Sequence, residues 1–187
     1  HFNPLQELIQ PGGDRDWSEI LREIEACSES LQIPIIAKEV GFGISPSSAK
    51  KLHAIGINWI EVAGRGGTNW ARIELNRNSD EHLKKVAEPF LDWGMGTVSL
   101  IKLLQKDMNV MGLIGSGGIR NGLDIAKCLA LGCNLTAVAQ PFLGPARKSS
   151  EAVIEAVSVY TEQLKWALFL TGSRNLIDLK KVKVYEK

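Results

Sequence analysis

The chain has 187 residues, 44% of them hydrophobic and 23% charged, the mix of one globular domain. With 22 basic against 21 acidic residues the net charge is +1, which provides no electrostatic footprint for nucleic acid or a membrane surface. No apolar run reaches the ~20 residues of a membrane-spanning helix and no secretory signal opens the chain. Cys27, Cys128 and Cys133 are spaced neither as a zinc site nor as a disulfide frame. Reduced thiols and a cytoplasmic location are the expectation, with Cys128 and Cys133 packed in the interior rather than reactive. The chain begins at His1 rather than at Met, in a strand-like segment, which reads as a fragment or a processed chain.

The opening residues His1-Phe-Asn-Pro-Leu-Gln-Glu7 follow what reads as the end of a strand, since Pro4 forbids a continuing central ladder. His1, Asn3, Gln6 and Glu7 either converge on a ligand past that strand end or form a polar surface loop. Gln10–Asp16 is turn-rich. From Trp17 onward Ile20, Leu21, Ile24 and Cys27 recur at helical spacing, with Asp16 as the predicted N-cap. Ile33–Val40 is a nearly continuous apolar run, the pattern of a parallel strand buried on both faces. Lys38 interrupts it. An ammonium there needs a partner such as Glu39 or Glu61, or a place at the strand's C-terminal end, where barrel strands face the ligand. Ser45 and Pro46 start a helix that carries Ala49 and Leu52 and stops at Gly56, with His53 on its surface.

Ile57–Ala63 is the next strand, and it ends in the glycine-rich loop Gly64-Arg-Gly-Gly-Thr-Asn-Trp70, where Thr68 offers a hydroxyl and a backbone N–H. Asn76–Glu81 is polar and Leu83–Trp93 weakly helical. Thr97 begins a better helix, with Val98, Leu100, Ile101 and Leu104 inward. The apolar run Val110–Ile114 ends in Gly115-Ser-Gly-Gly-Ile-Arg120, which feeds a helix starting near Asn121 or Gly122. Such a turn leaves N–H groups pointing outward at a helix N-terminus, an anion site, and Arg120 adds a planar cation suited to phosphate. The alternative is a tight strand-to-helix turn and nothing more. Leu123, Ile125, Ala126, Leu129 and Ala130 line the following helix, closed by Gly132. A short strand at Leu135–Ala139 runs into Gln140-Pro-Phe142. A long helix over Ser149–Leu170 turns Val153, Ala156, Val157, Tyr160, Leu164, Ala167 and Leu168 inward, and a basic tail, Leu176–Lys187, closes the chain.

Strand and helix alternate throughout, the mark of βα units around a parallel sheet, and the glycine turns all follow strands and so share one face. The chain is expected to form a single α/β domain over residues 1–187. About five strands are predicted, near residue 1 and at 34–40, 58–63, 110–115 and 135–140, too few to close an eight-stranded barrel. The expected fold is an open sheet or the later strands of a TIM-type (β/α)8 barrel whose opening strands are absent. An unclosed edge of that kind calls for a longer protein or a pairing chain.

Several motifs, in order, resemble the type 2, flavin-dependent isopentenyl-diphosphate isomerases, from about the fourth barrel strand onward. His1–Glu7 resembles the family's metal and substrate motif, Ile36-Ala-Lys-Glu-Val-Gly41 its flavin-binding lysine strand, and Val62–Trp70 its third site loop. Ser116-Gly-Gly-Ile-Arg120 and Ala139-Gln-Pro-Phe142 resemble its flavin-phosphate loops. The resemblance implies that Glu7 ligates Mg²⁺, that His1 and Asn3 bind the substrate diphosphate, and that Gln6 contacts substrate as the catalytic residue beside the flavin. It implies that Lys38 and Thr68 contact FMN, and that Gly117, Gly118, Ile119, Arg120, Ala139 and Gln140 hold its phosphate. Reduced FMN, Mg²⁺, NADPH as reductant, a homo-oligomer of four or more subunits and no nucleic-acid or membrane partner are further implications. The flavin and diphosphate contacts carried by the family's first strands have no counterpart in this sequence.

The residue inventory fits that chemistry. Moving a double bond by one position needs a proton delivered at one carbon and removed at another. His1, His53 and His82 are the only histidines, and only His1 sits at a predicted strand end, so a cofactor must carry the proton chemistry. An FMN-dependent 2-hydroxy-acid oxidase shares the phosphate loop, but Ala63–Thr68 holds no histidine to serve as its base. A nucleotide reductase of the IMP dehydrogenase type needs a nucleophilic cysteine in a site loop, and no loop after a strand carries one. An inactive flavin- or phosphate-binding barrel fragment is the non-enzymatic alternative.

Overall fold

Four short parallel strands position everything else. A computed structural model describes residues 1–107 and 112–185 of the chain. Strands β1 (Ile36–Lys38), β2 (Trp59–Glu61), β3 (Gly112–Gly115) and β4 (Leu135–Thr136) form one sheet in chain order. Ala37 pairs with Ile60, Ile60 with Leu113, and Ile114 with Leu135. Each strand neighbours the next in sequence and all run the same way, which is the arc of a (β/α)8-type barrel wall.

The helices are α1 (Pro4–Ile9), α2 (Ile20–Ser30), α3 (Pro46–Ala54), α4 (Trp70–Arg77), α5 (Glu81–Ala87), α6 (Thr97–Asp107), α7 (Gly122–Ala130), α8 (Gln140–Ala146), α9 (Ser150–Leu170) and α10 (Leu176–Leu179). Their starts follow capping chemistry. Ser45, Asn121 and Ser149 each accept a backbone N–H from three residues on, as predicted for the first two starts and one residue inside the predicted start of the third. The main core joins the sheet to α3 and α6, with Ile57, Ile60, Val62, Leu100 and Ile101 fully buried. Burying each such side chain is worth about 1.5–3 kcal/mol. Ile9, Phe42, Ala71, Leu75 and Leu91 form a second cluster beneath α1, α4 and α5, and Ala126, Leu129, Ala167 and Leu179 a third between α7, α9 and α10.

Several expectations need correction. The predicted strand near residue 1 is a single parallel bridge, Phe2 opposite Glu39, so among the described residues the sheet has four strands and not five. Ile33–Val40 is not buried on both faces: Ile33 is 68% exposed and Ile36 48%, because β1 lies at one edge of the sheet. Leu135, on the opposite edge strand, is 53% exposed. Asp16 accepts from the N–H and hydroxyl of Ser18 and so shapes a turn, while the helix begins at Ile20. Cys27, Val98, Leu123 and Val157 face outward rather than inward. α1, α4 and α8 are helices that the sequence does not signal, since each is short and opens on a proline or a glycine-rich stretch. Val110, in the predicted run before the central glycine turn, lies outside the described residues, as do the last two residues of the predicted tail. Cys128 and Cys133 are buried as expected, and burial pushes their thiols up to about 11 and about 12.

Candidate functional site

The C-terminal ends of the strands open into a cleft of about 740 Å³. Lys38 ends β1 and Glu61 ends β2, and both side chains line it. The Lys38 ammonium donates to the carbonyl of Glu39 at 2.8 Å and lies 3.5 Å from the Glu61 carboxylate. Both partners that the sequence offered therefore meet it, the first through its backbone. Its side chain remains 38% exposed, so the ion pair contributes little to stability and mainly fixes where the charge stands.

Glu39 faces the other way, into the interior. Its carboxylate accepts the backbone N–H groups of Phe42 at 2.5 Å and Gly43 at 3.0 Å, holding the turn that follows β1. Burial pushes its carboxyl above the ordinary value, and the N–H donors of this turn pull partly against that.

The two glycine loops lie directly on each other. A methyl group on Gly117 would sit 2.2 Å from the carbonyl oxygen of Gly64, and one on Gly118 2.5 Å from that of Gly66. Both have φ in the left-handed region, at +94° and +85°. Only glycine permits this approach. Ser116 Oγ accepts from Ala63 N at 2.9 Å, and the Thr97 hydroxyl lies within reach of the carbonyls of Ser116 and Gly117, at 3.0 and 2.7 Å. Ala63 is held at φ +39°, a conformation costing a non-glycine residue roughly 1–2 kcal/mol. Its N–H and its carbonyl, which accepts from Gly41 N at 3.1 Å, are both fixed by neighbouring loops.

Arg120 spans both loops. Its guanidinium donates to the carbonyls of Gly118 at 3.1 Å and Gly66 at 2.7 Å, which leaves part of its five-donor fork for a ligand. Several N–H groups where the turn enters α7 are already committed. Gly122 N donates to Gln163 Oε1 at 2.7 Å, Asp124 N to Asn121 Oδ1 at 2.8 Å and Arg120 N to Asp124 Oδ2 at 3.1 Å. The uncommitted donors lie on the turn itself and at the start of α8. The backbone N–H groups of Gly117, Gly118, Ile119, Ala139 and Gln140 reach no acceptor among the described residues. Five such donors on residues that line one cleft, beside Arg120, make a set that can hold an anion. Val40, Ala63, Ile119 and Val138 supply an apolar floor on which a flat ring can lie.

All eight residues predicted to contact a cofactor, Lys38, Thr68, Gly117, Gly118, Ile119, Arg120, Ala139 and Gln140, line this one cleft. Trp70, which ends the Val62–Trp70 motif, lines it too, as does Ile73 of α4, which no sequence motif includes. His1, Asn3, Gln6 and Glu7 do not line it. His1 is exposed; Asn3 Oδ1 caps α1 by accepting from Gln6 N at 3.0 Å. Glu7 Oε2 accepts from Gln10 Nε2 at 2.6 Å and Asp14 N at 2.9 Å. Asn3 is 97% buried, with 3% of its surface exposed, yet its Nδ2 meets no acceptor. No group of three or more His, Cys, Asp or Glu side chains that could hold a metal ion occurs among the described residues.

The family model of the FMN-dependent dehydrogenases matches residues 10–186. Isopentenyl-diphosphate delta-isomerases are similar along nearly the whole chain. That of Pseudescherichia vulneris is 46% identical over 184 residues, covering 98% of this chain and 53% of the relative. That of Methanocaldococcus jannaschii is 44% identical over 185 residues, covering 97% and 51%. The chain thus spans about half the length of the curated relatives it matches. Among solved structures, a mutant flavocytochrome b2 with benzoylformate superposes with a TM-score of 0.66 at 19% identity, over 89% of this chain and 38% of that one. A mandelate oxidase does so with a TM-score of 0.67 at 17% identity, over 87% and 41%. At such identities the likeness is one of fold.

Proposed function

The chain belongs to the FMN-dependent dehydrogenase family, and on that footing we propose that it forms the flavin-binding part of an isomerase that interconverts isopentenyl and dimethylallyl diphosphate. The observation that carries the reading is the meeting of all eight predicted cofactor residues in one cleft, in a chain more than 40% identical to two isopentenyl-diphosphate isomerases. The donor set fits FMN. The N–H groups of Gly117, Gly118, Ile119, Ala139 and Gln140, with Arg120, would hold its phosphate, and Thr68 and Lys38 would contact its ring system.

Reduced FMN, with NADPH as reductant, supplies the proton delivery and removal that the side chains lack. The chain's own contribution is orientation and charge. Lys38 places a cation at the cleft wall, which favours negative charge on a group bound there, more strongly once water is excluded. Glu61 and the Glu39 carbonyl hold that cation in place. Glu7 would ligate Mg²⁺, a hard ion that takes few protein ligands and keeps phosphate oxygens in its shell. His1 and Asn3 would bind the diphosphate, and Gln6 would contact the hydrocarbon end beside the flavin. A cytoplasmic homo-oligomer completes the proposal.

The test is direct. The isolated protein, loaded with FMN and Mg²⁺ and reduced anaerobically with NADPH or dithionite, converts isopentenyl to dimethylallyl diphosphate and stops when the flavin is reoxidised. Turnover independent of flavin redox state, or oxidation of a 2-hydroxy acid in its place, overturns the reading.

A further inference from the structure

The long helix α9 reaches across to the glycine turn and holds it at two points. Tyr160 Oη donates to the carbonyl of Arg120 at 2.6 Å, and Gln163 Oε1 accepts the N–H of Gly122 at 2.7 Å. The two bonds flank Asn121, which itself caps α7. The elements meet closely there: a methyl group on Gly122 would lie 2.2 Å from the Tyr160 carbonyl oxygen, 2.6 Å from Gln163 Cβ and 2.9 Å from Leu164 N. Phe142, near the start of α8, packs its ring 5.2 Å from that of Tyr160. One tyrosine therefore touches both segments whose uncommitted N–H groups belong to cleft-lining residues. Burial, with the Asp124 carboxylate nearby, pushes the Tyr160 phenol above its ordinary value, so it stays a donor across the working pH range.

The geometry points to Tyr160 and Gln163 as positioning residues for phosphate recognition in the cleft. Gln163 occupies the first N–H of α7, which in a glycine turn of this kind would otherwise compete for the anion. Tyr160 tethers the turn through the Arg120 carbonyl and lies against α8 through Phe142. The anion is thereby directed onto Gly117–Ile119 and Ala139–Gln140. Neither side chain lines the cleft, so each acts through the backbone it holds. The inference rests on the FMN reading above and adds to it the residues, 40 positions further along the chain, that set the cradle's shape.

Comparing FMN with riboflavin isolates the phosphate. The isolated protein is titrated with each flavin, following flavin fluorescence and absorbance, and its unliganded melting temperature is recorded. Tyr160→Phe and Gln163→Leu each weaken FMN binding about five- to tenfold, the loss of one hydrogen bond's worth of positioning, and leave riboflavin affinity within about twofold. A melting temperature close to wild type accompanies that split. Equal losses for FMN and riboflavin mean that α9 only stabilises the fold, and unchanged FMN affinity means that the tether is idle. Either result overturns the inference while leaving the flavin reading intact. Failure of the wild-type protein to bind FMN overturns the flavin reading, and this one with it.

Discussion

The polar groups around the cleft are held by neighbouring loops, whereas those of His1–Glu7 are held within the segment and the turn that follows it. Around the cleft, β1, β2 and β3 deliver loops that bond to one another through Gly41 N and Ala63 O, Ala63 N and Ser116 Oγ, and Thr97 with the Ser116 and Gly117 carbonyls. At the other end the Phe2–Glu39 bridge attaches the chain to the sheet, Leu5 and Ile9 of α1 pack with Phe42, Ala71 and Leu75, and the polar groups are fixed by the α1 cap and by the Glu7 carboxylate turning back to Asp14. A site assembled from loops after paired strands is determined many times over. A site on a short helix keeps its local shape but offers its outward groups to whatever lies beyond it.

That contrast is broken most severely where the loops touch. Gly117→Ala places a methyl group 2.2 Å from the Gly64 carbonyl at a φ of +94°. Urea unfolding should show a loss of about 3 kcal/mol or more, along with loss of FMN retention. Retention of both stability and flavin would mean that the two loops are not locked together.

Glu39 gives the next largest effect, since it joins the two regions. Removing its carboxylate in Glu39→Ala leaves the Phe42 and Gly43 N–H groups unpaired in the interior, at a cost of about 1–3 kcal/mol for each group left without a partner. Glu39→Gln keeps an acceptor and isolates the charge. Because burial raises the carboxyl in the folded state, the native protein binds more protons than the unfolded chain just above the ordinary glutamate value of 4.5. Stability therefore falls as pH rises through that window, and Glu39→Gln should flatten the fall. Parallel stability-versus-pH curves for the two proteins would contradict it.

The legibility of the sequence follows the same division. The parallel βα rhythm, the capped starts of α3 and α7, and the gathering of the glycine turns on one face all follow from local chemistry and strand direction, whereas the joining of residues as distant as Lys38 and Gln140 in one site rests on the family resemblance. What was missed depends on neighbours in space. The exposure of Ile33 and Ile36 follows from β1 lying at a sheet edge, which no local pattern reveals. α4 and α8 start from a glycine-rich loop and a proline, signals that read first as turn. The internal capping of the α7 start comes from Gln163, 41 residues on, which no local pattern reveals.

A smaller effect separates local shape from ligand binding at the opening segment. Glu7→Ala removes two hydrogen bonds at a partly exposed site and should cost no more than about 1–2 kcal/mol. If Glu7 ligates Mg²⁺, the same variant loses Mg²⁺-dependent diphosphate binding and keeps FMN. Calorimetric titration with isopentenyl diphosphate checks this, and unchanged substrate affinity removes the metal role.

The smallest change in stability carries the sharpest contrast. Asn3 does two separable things: its Oδ1 caps α1, and its buried Nδ2 donates to nothing. Serine is as good a cap and lacks the amide nitrogen, so Asn3→Ser should leave the melting curve within about 0.5 kcal/mol of wild type. Asn3→Ala, which loses the cap, should cost about 1 kcal/mol. An amide nitrogen kept in the interior without a partner is a cost that a bound oxyanion would remove. Under the proposed role, Asn3→Ser loses diphosphate affinity by about tenfold, a charge-assisted hydrogen bond, at no loss of stability. Equal diphosphate affinity in wild type and Asn3→Ser would assign Asn3 to the cap alone and leave the opening segment as scaffold, with the cleft as the whole of the site.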